Sequence, residues 1–276
     1  MKKSLNFTTG ALAAVILSGP LLLPQAVLAK TITVVSSGPL QPYNYVDENE
    51  KWIGLQAEAL DYAAKKAGYD LEYRTMAFEN EIPALLNGKV DIASGIYITK
   101  ERFEKLDFIP LVKSGFGILS TKEFAKDVKD WTNYCGKEIA MHFSAPTENA
   151  VKAMNEKFCP PDNPAISAPS SGNIPDRITA VRNGRAAGAI DDVNMWRAAA
   201  SRIPEVAVAL EQVGNQVYWP IAFKKGSPLR AELLPHISEF LNTKLAEDAS
   251  MKFGMGKNVY ISGDIDTVIE EYLKDK

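Results

Sequence analysis

The two cysteines and two histidines of this 276-residue chain restrict the chemistry that it can support. Zinc sites and iron–sulfur clusters take their ligands mainly from these residue types, in sets of three or four. The sequence also has no Ser-His-Asp motif, no phosphate-binding loop and no nucleotide-binding fingerprint. We therefore expect no metal site and no cofactor, and many classes of enzyme are excluded.

The charge balance restricts the partners. The chain carries 31 lysine and arginine residues against 34 aspartate and glutamate residues, which gives a formal net charge of −3. A slightly acidic protein has no general attraction to nucleic acid or to anionic lipid, so we expect no nucleic-acid partner. Hydrophobic residues make up 46% of the chain, enough to bury the core of one large domain or of two ordinary ones.

The first 29 residues have the three parts of a secretory signal peptide. Lys2 and Lys3 provide the positive start, Ala11–Leu23 is the apolar part, and Val27–Ala29 ends on the small residue that signal peptidase requires. The apolar part is shorter than the roughly 20 residues of a membrane span, which disfavours the alternative of an N-terminal anchor. We predict cleavage after Ala29 and export of the remaining chain.

Export changes the interpretation of the cysteines. In an oxidising compartment, an even pair of cysteines favours a disulfide over a metal or catalytic site. We therefore predict a bond between Cys135 and Cys159. Two buried free thiols are the alternative that the sequence leaves open.

Short strands and helices alternate in the exported chain. Thr31–Val35 is a β-branched run typical of a buried parallel strand, and Leu55–Ala67 keeps apolar residues at helical spacing until a glycine ends it. Leu71–Arg74 and Val90–Ala93 are typical of further strands on either side of a short helix at Glu81–Leu86. This βαβαβ order predicts a parallel sheet covered by helices, which binds ligands at the carboxyl ends of its strands.

A weak internal repeat favours two such units over one large sheet. Ile82–Ala93 and Ile178–Ala189 both combine a helix, an Asn-Gly stop, a basic residue and a strand, although chance recurrence of helix-stop residues is an alternative. Between the two copies, Pro160–Pro175 is rich in proline, serine and asparagine and is predicted to be a loop. Val217–Lys224 is predicted to be a strand, and Ser227–Lys276 to be mostly helical.

Six short elements follow one another along the exported chain. They are Pro42–Tyr45 (PYNY), Trp52–Glu58 (WIGLQAE), Ile82–Ile92 (IPALLNGKVDI), Ile98–Arg102 (ITKER) with Asp107 and Phe108 after it, Gly184–Asp192 (GRAAGAIDD) and Ile221–Gly226 (IAFKKG). In this order they resemble the motifs of the polar amino-acid-binding family, family 3, among the extracytoplasmic solute-binding proteins of ABC importers. No element is specific by itself, but together they cover nearly all of the exported chain.

The resemblance implies the type II fold of periplasmic binding proteins, an α/β fold with two lobes. Mixed, mainly parallel sheets form the lobes, and a hinge of two strands joins them. Residues 30–119 and 217–276 are expected to form a discontinuous first lobe, and residues 120–216 the second. The implied function is that of a periplasmic monomer, not an enzyme. It captures an amino acid or a related amine or carboxylate between lobes that close on it, and delivers it to the membrane subunits of an ABC importer.

The resemblance also implies the ligand contacts. Arg102 matches the arginine that binds the ligand carboxylate, and its planar, permanently charged guanidinium suits a bidentate contact. Asp192 matches the aspartate that binds the ligand ammonium, while capping of the helix that begins near Val193 is an alternative or additional role. Tyr43 is expected to form an aromatic wall, and a buried core aromatic with a hydrogen-bonded hydroxyl is the alternative. The other expected contacts are the strand-end residues Ser94 and Gly95, together with Tyr97 and Thr147.

Two departures from the family pattern affect the expected ligand. Tyr97 is much bulkier than the serine or threonine of the family, and Pro146 has no N–H to donate, so Thr147 must replace that donor. With Tyr43 and Tyr45, Tyr97 produces an aromatic pocket that also suits a cationic amine or an aromatic acid.

Two other classes of function are open. Cyclohexadienyl dehydratases resemble these binding proteins, and Asp191, Asp192 or His142 is a candidate for the general acid of such an enzyme. A sensory or accessory protein, whose closed form docks on a receptor or on a periplasmic dehydrogenase, is the other alternative.

Overall fold

The computed structural model describes residues 30–142, 145–169, 173–255 and 259–274. The predicted signal peptide, residues 1–29, lies outside these described residues. Within the four ranges, no helix has both the length and the apolar character needed to cross a membrane.

Strands and helices alternate as the sequence predicts. The strands are β1 (Lys30–Ser36), β2 (Tyr45–Val46), β3 (Trp52–Ile53), β4 (Tyr69–Thr75), β5 (Ile92–Ser94), β6 (Leu106–Thr121), β7 (Glu138–Met141), β8 (Ile166–Pro169), β9 (Gly188–Asp192) and β10 (Val206–Lys224). The helices are α1 (Leu55–Ala67), α2 (Phe78–Leu86), α3 (Lys100–Lys105), α4 (Lys122–Ala125), α5 (Ala145–Phe158), α6 (Ile174–Arg182), α7 (Val193–Ala200), α8 (Pro228–Leu241), α9 (Lys244–Lys252) and α10 (Ile265–Lys274). A 3-10 helix spans Trp131–Tyr134.

Eight of these strands form one sheet in the order β4-β1-β5-β10-β6-β9-β7-β8. At one end β1 pairs in parallel with β4 and β5, and at the other end β7 pairs in parallel with β8 and β9. The long strands β6 and β10 lie between these groups, antiparallel to each other and to their outer neighbours. The β1-β4-β5 group belongs to the first lobe and the β7-β8-β9 group to the second, so the predicted two-lobed α/β architecture is confirmed.

The two long strands pass from one lobe to the other where their pairing is irregular. The register of β10 against β6 shifts between Val208 and Leu210, again before Val213, and again before Val217. Such irregularities bend and twist a strand pair, which turns the two lobes relative to each other. The pairing of β6 with β9 extends over Phe116–Leu119. The residue boundaries expected for the lobes stay a prediction.

The first helix is placed by a glycine at each end. Gly68 ends α1 in the left-handed conformation and donates its N–H to the carbonyls of Ala64 and Lys65, so the predicted bounds of this helix are confirmed. At the other end, a Cβ on Gly54 would lie 2.2 Å from the carbonyl oxygen of Tyr43. Only glycine permits this approach, which fixes the backbone of Tyr43 against the start of α1.

Two predicted segments differ from the structure. Pro160–Pro175 was expected to be a loop, but it contains β8 and the first residues of α6. Strand β8 lies at the sheet edge, pairs with β7, and leaves Ile166 half exposed, so tertiary pairing rather than local pattern makes it a strand. The strand predicted at Val217–Lys224 begins earlier, at Val206, because exposed polar residues obscure its first half.

The two cysteines lie as the sequence predicts. Cys135 follows the 3-10 helix and Cys159 follows α5, with their sulfur atoms at bonding distance, 2.04 Å apart. A bond between them links two elements on one side of the second lobe.

The disulfide is testable by alkylation. Unfolding the protein in alkylating reagent without reductant should add no mass, and a parallel reduced sample should gain two adducts. Replacing both cysteines by serine should lower the free energy of unfolding by about 3 kcal/mol, because the unfolded chain regains the freedom of the open loop. Two adducts on the unreduced protein would contradict the bond.

Candidate functional site

A cleft of about 730 Å³ lies between the two lobes. Its first-lobe wall comes from the β1–β2 connection, from α2 and from the β5–α3 connection, and its second-lobe wall comes from α6, α7 and the end of β9. Trp219 of β10 lies at its base. This position, at the ends of parallel strands in both lobes, is the one that the alternating α/β pattern predicts.

Arg102 is the positively charged side chain on the first-lobe wall. Thr99 caps α3 by accepting a hydrogen bond from the N–H of Arg102, and Nη1 of Arg102 donates to the carbonyl of Tyr97 over 2.9 Å. The guanidinium lies 5.8 Å from the ring centre of Phe78. Across the described chain no carboxylate lies within ion-pair distance of it, and its burial lowers its pKa. Its remaining donors are therefore available to a ligand anion.

The second-lobe wall holds a buried ion pair. Arg177 of α6 is only 2% exposed, and its Nη2 donates to Oδ2 of Asp191 over 2.5 Å. Oδ1 of Asp191 accepts the N–H of Asp192 over 2.7 Å, which holds the carboxylate at the cleft. Elsewhere in the described ranges, Nε and Nη1 of Arg177 find no hydrogen-bond partner. Sequence reasoning missed Arg177, since one arginine in a helix carries no local signal.

His142 lies between the two walls. Its ring meets Phe78 of the first lobe edge-on at 5.2 Å, and its carbonyl accepts from the hydroxyl of Thr147 over 2.8 Å. Burial lowers the pKa of His142, and the charges of Arg177 and Arg102 lower it further, while Asp191 opposes them. Arg102, His142 and Arg177 all line this cleft.

The expected ligand contacts divide into two groups. Gly95, Tyr97, Arg102 and Thr147 line the cleft, whereas Tyr43, Ser94 and Asp192 are completely buried and do not line it. Gly95 adopts a positive φ of 84°, and a Cβ there would lie 3.1 Å from Leu40 and Trp219, so glycine allows the indole of Trp219 to reach the cleft base. The ligand contacts of all seven residues stay a prediction.

Tyr43 and Asp192 join the two lobes beneath the cleft. The hydroxyl of Tyr43 donates to Oδ1 of Asp192 over 2.8 Å, and the side chain of Asn194 donates to the same hydroxyl over 3.0 Å. Asp192 also caps α7 by accepting the N–H groups of Asn194 and Met195, which is the alternative role that the sequence left open. Burial raises the pKa of Asp192 to about 6. The ring of Tyr43 stacks on Trp219, with 4.1 Å between ring centres.

Ser94 belongs to a buried polar network next to this contact. The side chain of Asn44 donates to Oγ of Ser94 and to Oε1 of Gln56, each over 2.5 Å. Nε2 of Gln56 donates to the carbonyl of Pro220 in β10 over 2.9 Å. The network ties the start of α1 and the end of β5 to a crossing strand, and so supports the base of the cleft.

A family model matches most of this chain. The model for the bacterial extracellular solute-binding proteins, family 3, matches residues 32–253. The chain belongs to this family. The resemblance that the sequence motifs carry is therefore confirmed.

Individual relatives and structures agree with the family match. A probable ABC transporter extracellular-binding protein of Bacillus subtilis, YckB, is 32% identical over 114 residues, which span 40% of each chain. ABC transporter arginine-binding protein 1 of Escherichia coli is 24% identical over 196 residues, which cover 69% of this chain and 75% of that protein. An ancestral arginine-binding protein bound to arginine superposes with a TM-score of 0.70 at 23% identity, covering 82% of this chain and 99% of the other. At this identity the superposition shows a shared fold.

Glu81 is a further ionisable group of the first lobe. It lies in α2 and is completely buried, and inside the described part of the chain neither carboxyl oxygen has a hydrogen-bond partner. Burial raises the pKa of Glu81 to about 8, although the charge of Arg102 lowers it in part. Glu81 therefore holds its proton at neutral pH in the folded protein.

The protonation of Glu81 predicts a pH dependence of stability. Because its pKa is raised on folding, the folded state loses stability as pH rises from about 4.5, the ordinary glutamate pKa, through about 8. Glu81→Gln should remove most of this loss, which is on the order of a few kcal/mol since each pKa unit corresponds to about 1.4 kcal/mol. Urea unfolding at pH 5 and pH 8 measures it. The control is Glu79→Gln, an exposed residue of the same helix. Equal pH dependence in both variants would contradict the assignment.

Proposed function

We propose that this family 3 protein is the periplasmic receptor of an ABC importer for an amino-acid-type ligand whose carboxylate Arg102 binds. One observation carries this proposal: a partly buried guanidinium, with no carboxylate partner among the described residues, lines a cleft between two lobes. An unpaired buried cation is unfavourable, so a ligand carboxylate that enters the cleft gains more there than in water. The relatives whose names state arginine binding support an amino acid as the ligand class.

The route of the protein follows from the same proposal. The signal peptide at residues 1–29 directs export, and cleavage after Ala29 releases the mature chain into the periplasm. There the oxidising environment maintains the bond between Cys135 and Cys159. The mature protein acts as a monomer and delivers its ligand to the membrane subunits of the importer.

We propose binding rather than catalysis because the acidic groups are engaged in structure. Asp191 pairs with Arg177, and Asp192 is buried, caps α7 and accepts from Tyr43. The pKa of His142 is lowered, which reduces its population in the acidic form. A dehydratase needs a protonated general acid directed at its substrate, and this arrangement does not favour that role for Asp191, Asp192 or His142.

Replacing Arg102 tests the carboxylate contact. For an amino acid identified by a thermal-shift screen, Arg102→Ala should weaken binding by about 30-fold to several-thousand-fold, because the ligand carboxylate remains desolvated and unpaired. Arg102→Lys should retain only part of the affinity, since the point charge of lysine cannot reproduce the two parallel hydrogen bonds of the planar guanidinium. Titration calorimetry measures the change. The matched control is Arg74→Ala, an exposed first-lobe arginine paired with Glu72. Unchanged affinity in Arg102→Ala would refute the contact.

Closure of the lobes gives a second test. The lobes defined by residues 30–119 with 217–276 and by residues 120–216 should approach each other on binding, since ligand contacts from both walls form only in the closed state. Small-angle X-ray scattering should show a smaller radius of gyration at saturation with the ligand. Arg102→Ala at the same ligand concentration should keep the profile of the free protein. An unchanged profile of the saturated parent protein would argue against closure.

A further inference from the structure

The charge of the cleft is strongly one-sided. Among the described residues that line it there are four arginines and a single carboxylate, that of Asp191. Arg182 has a partner outside the lining, since it donates to Glu205 over 2.8 Å. The remaining arginines are Arg102, Arg177 and Arg202. One ligand carboxylate at Arg102 therefore leaves the second-lobe wall with an excess of positive charge.

Arg177 is the residue on that wall whose hydrogen bonding is incomplete. A guanidinium has five N–H donors, and burial of donors without acceptors costs free energy. Its bond to Asp191 uses Nη2, whereas Nε and Nη1 have no acceptor within the described ranges. Arg177 itself lines the cleft, and so do Asp191, which it contacts, and His142.

We infer that Arg177 forms a second anion-binding subsite, and that the ligand carries two acidic groups, one for each wall. The ligand class is an acidic amino acid or a related dicarboxylate. This inference rests on the proposed function, because it assigns the first carboxylate to Arg102. It adds that the far end of the ligand is negatively charged and accepts from the free donors of Arg177. Asp191 holds the guanidinium in place and remains able to accept from a ligand ammonium.

The inferred class differs from that of the arginine-binding relatives. A ligand guanidinium at the second-lobe wall would lie beside Arg177 and near Arg202, with one carboxylate, already paired, to balance three positive charges. Like charges at such distances repel, and burial strengthens the repulsion. A second ligand carboxylate would instead be attracted by Arg177 and Arg202. The electrostatics of this cleft therefore favour a diacid and oppose a dibasic ligand.

The unmodified protein provides the first test. Titration calorimetry compares L-aspartate and L-glutamate with their amides L-asparagine and L-glutamine, which match them in size, and with L-arginine, succinate and glutarate. The inference expects at least one diacid to bind about 30-fold or more tightly than its neutral counterpart. If an amide or L-arginine binds as tightly as every diacid does, the second subsite is wrong, and the proposed function still stands. If none of these compounds binds, the second subsite is wrong, and the proposed function fails only if the thermal-shift screen also finds no amino acid that binds.

A variant assigns the effect to Arg177. Arg177→Gln combined with Asp191→Asn removes both charges of the pair, so that neither remains buried and unpaired. The double variant should lose about 30-fold or more of the affinity for the diacid that binds most tightly, measured with glutarate or succinate where an amine-free diacid binds. Arg185→Gln, at an exposed second-lobe arginine outside the cleft lining, is the matched control and should bind as the parent does. Circular dichroism and thermal unfolding confirm folding of each variant. Retained diacid affinity in the double variant would overturn the subsite.

Discussion

The antiparallel pairing of β6 with β10 is the interaction on which the rest of the molecule depends. These strands lie between the two parallel groups of the sheet, β10 pairing with β5 and β6 with β9, so they determine how the two lobes face each other. They also carry the base of the cleft, because Trp219 and Pro220 of β10 hold Tyr43 and Gln56. The pairing of β10 with β6 is irregular at the crossing, whereas the outer groups of strands have regular parallel pairing.

Around this base, ionisable groups are concentrated where water is excluded. Arg102, Arg177, Glu81 and Asp192 are all partly or fully removed from solvent, and each retains at least one donor or acceptor for a further partner. Buried ionisable groups destabilise a fold unless they are fully paired and hydrogen-bonded. Arg102 and Arg177 line the cleft, whereas Asp192 and Glu81 do not. Poorly paired ionisable groups in and beside a cleft are typical of a functional site.

Much of the fold follows from local sequence, and the site follows only in part. The bounds of α1 are predictable because apolar spacing and Gly68 act within a single helix, and the cysteine pair is predictable from export. β8 is not predictable, because only its pairing with β7 makes it a strand. At Asp191 and Asp192 the alternation of side chains along β9 sends one carboxylate to the cleft and the other behind it, and a sequence motif without a sheet cannot say which. Arg177 becomes significant only when folding brings it to Asp191.

The hydrogen bond between Tyr43 and Asp192 has a consequence for the transport cycle. It links the two lobes through protein groups alone, so its formation requires no solute. A ligand changes the balance between open and closed forms only by the difference in its affinity for the two. A built-in link of this kind raises the background level of empty closed molecules. A membrane complex that sensed only the approach of the lobes would spend ATP on unloaded receptors. In that case, discrimination between full and empty receptors would require contacts beyond those that sense the approach of the lobes.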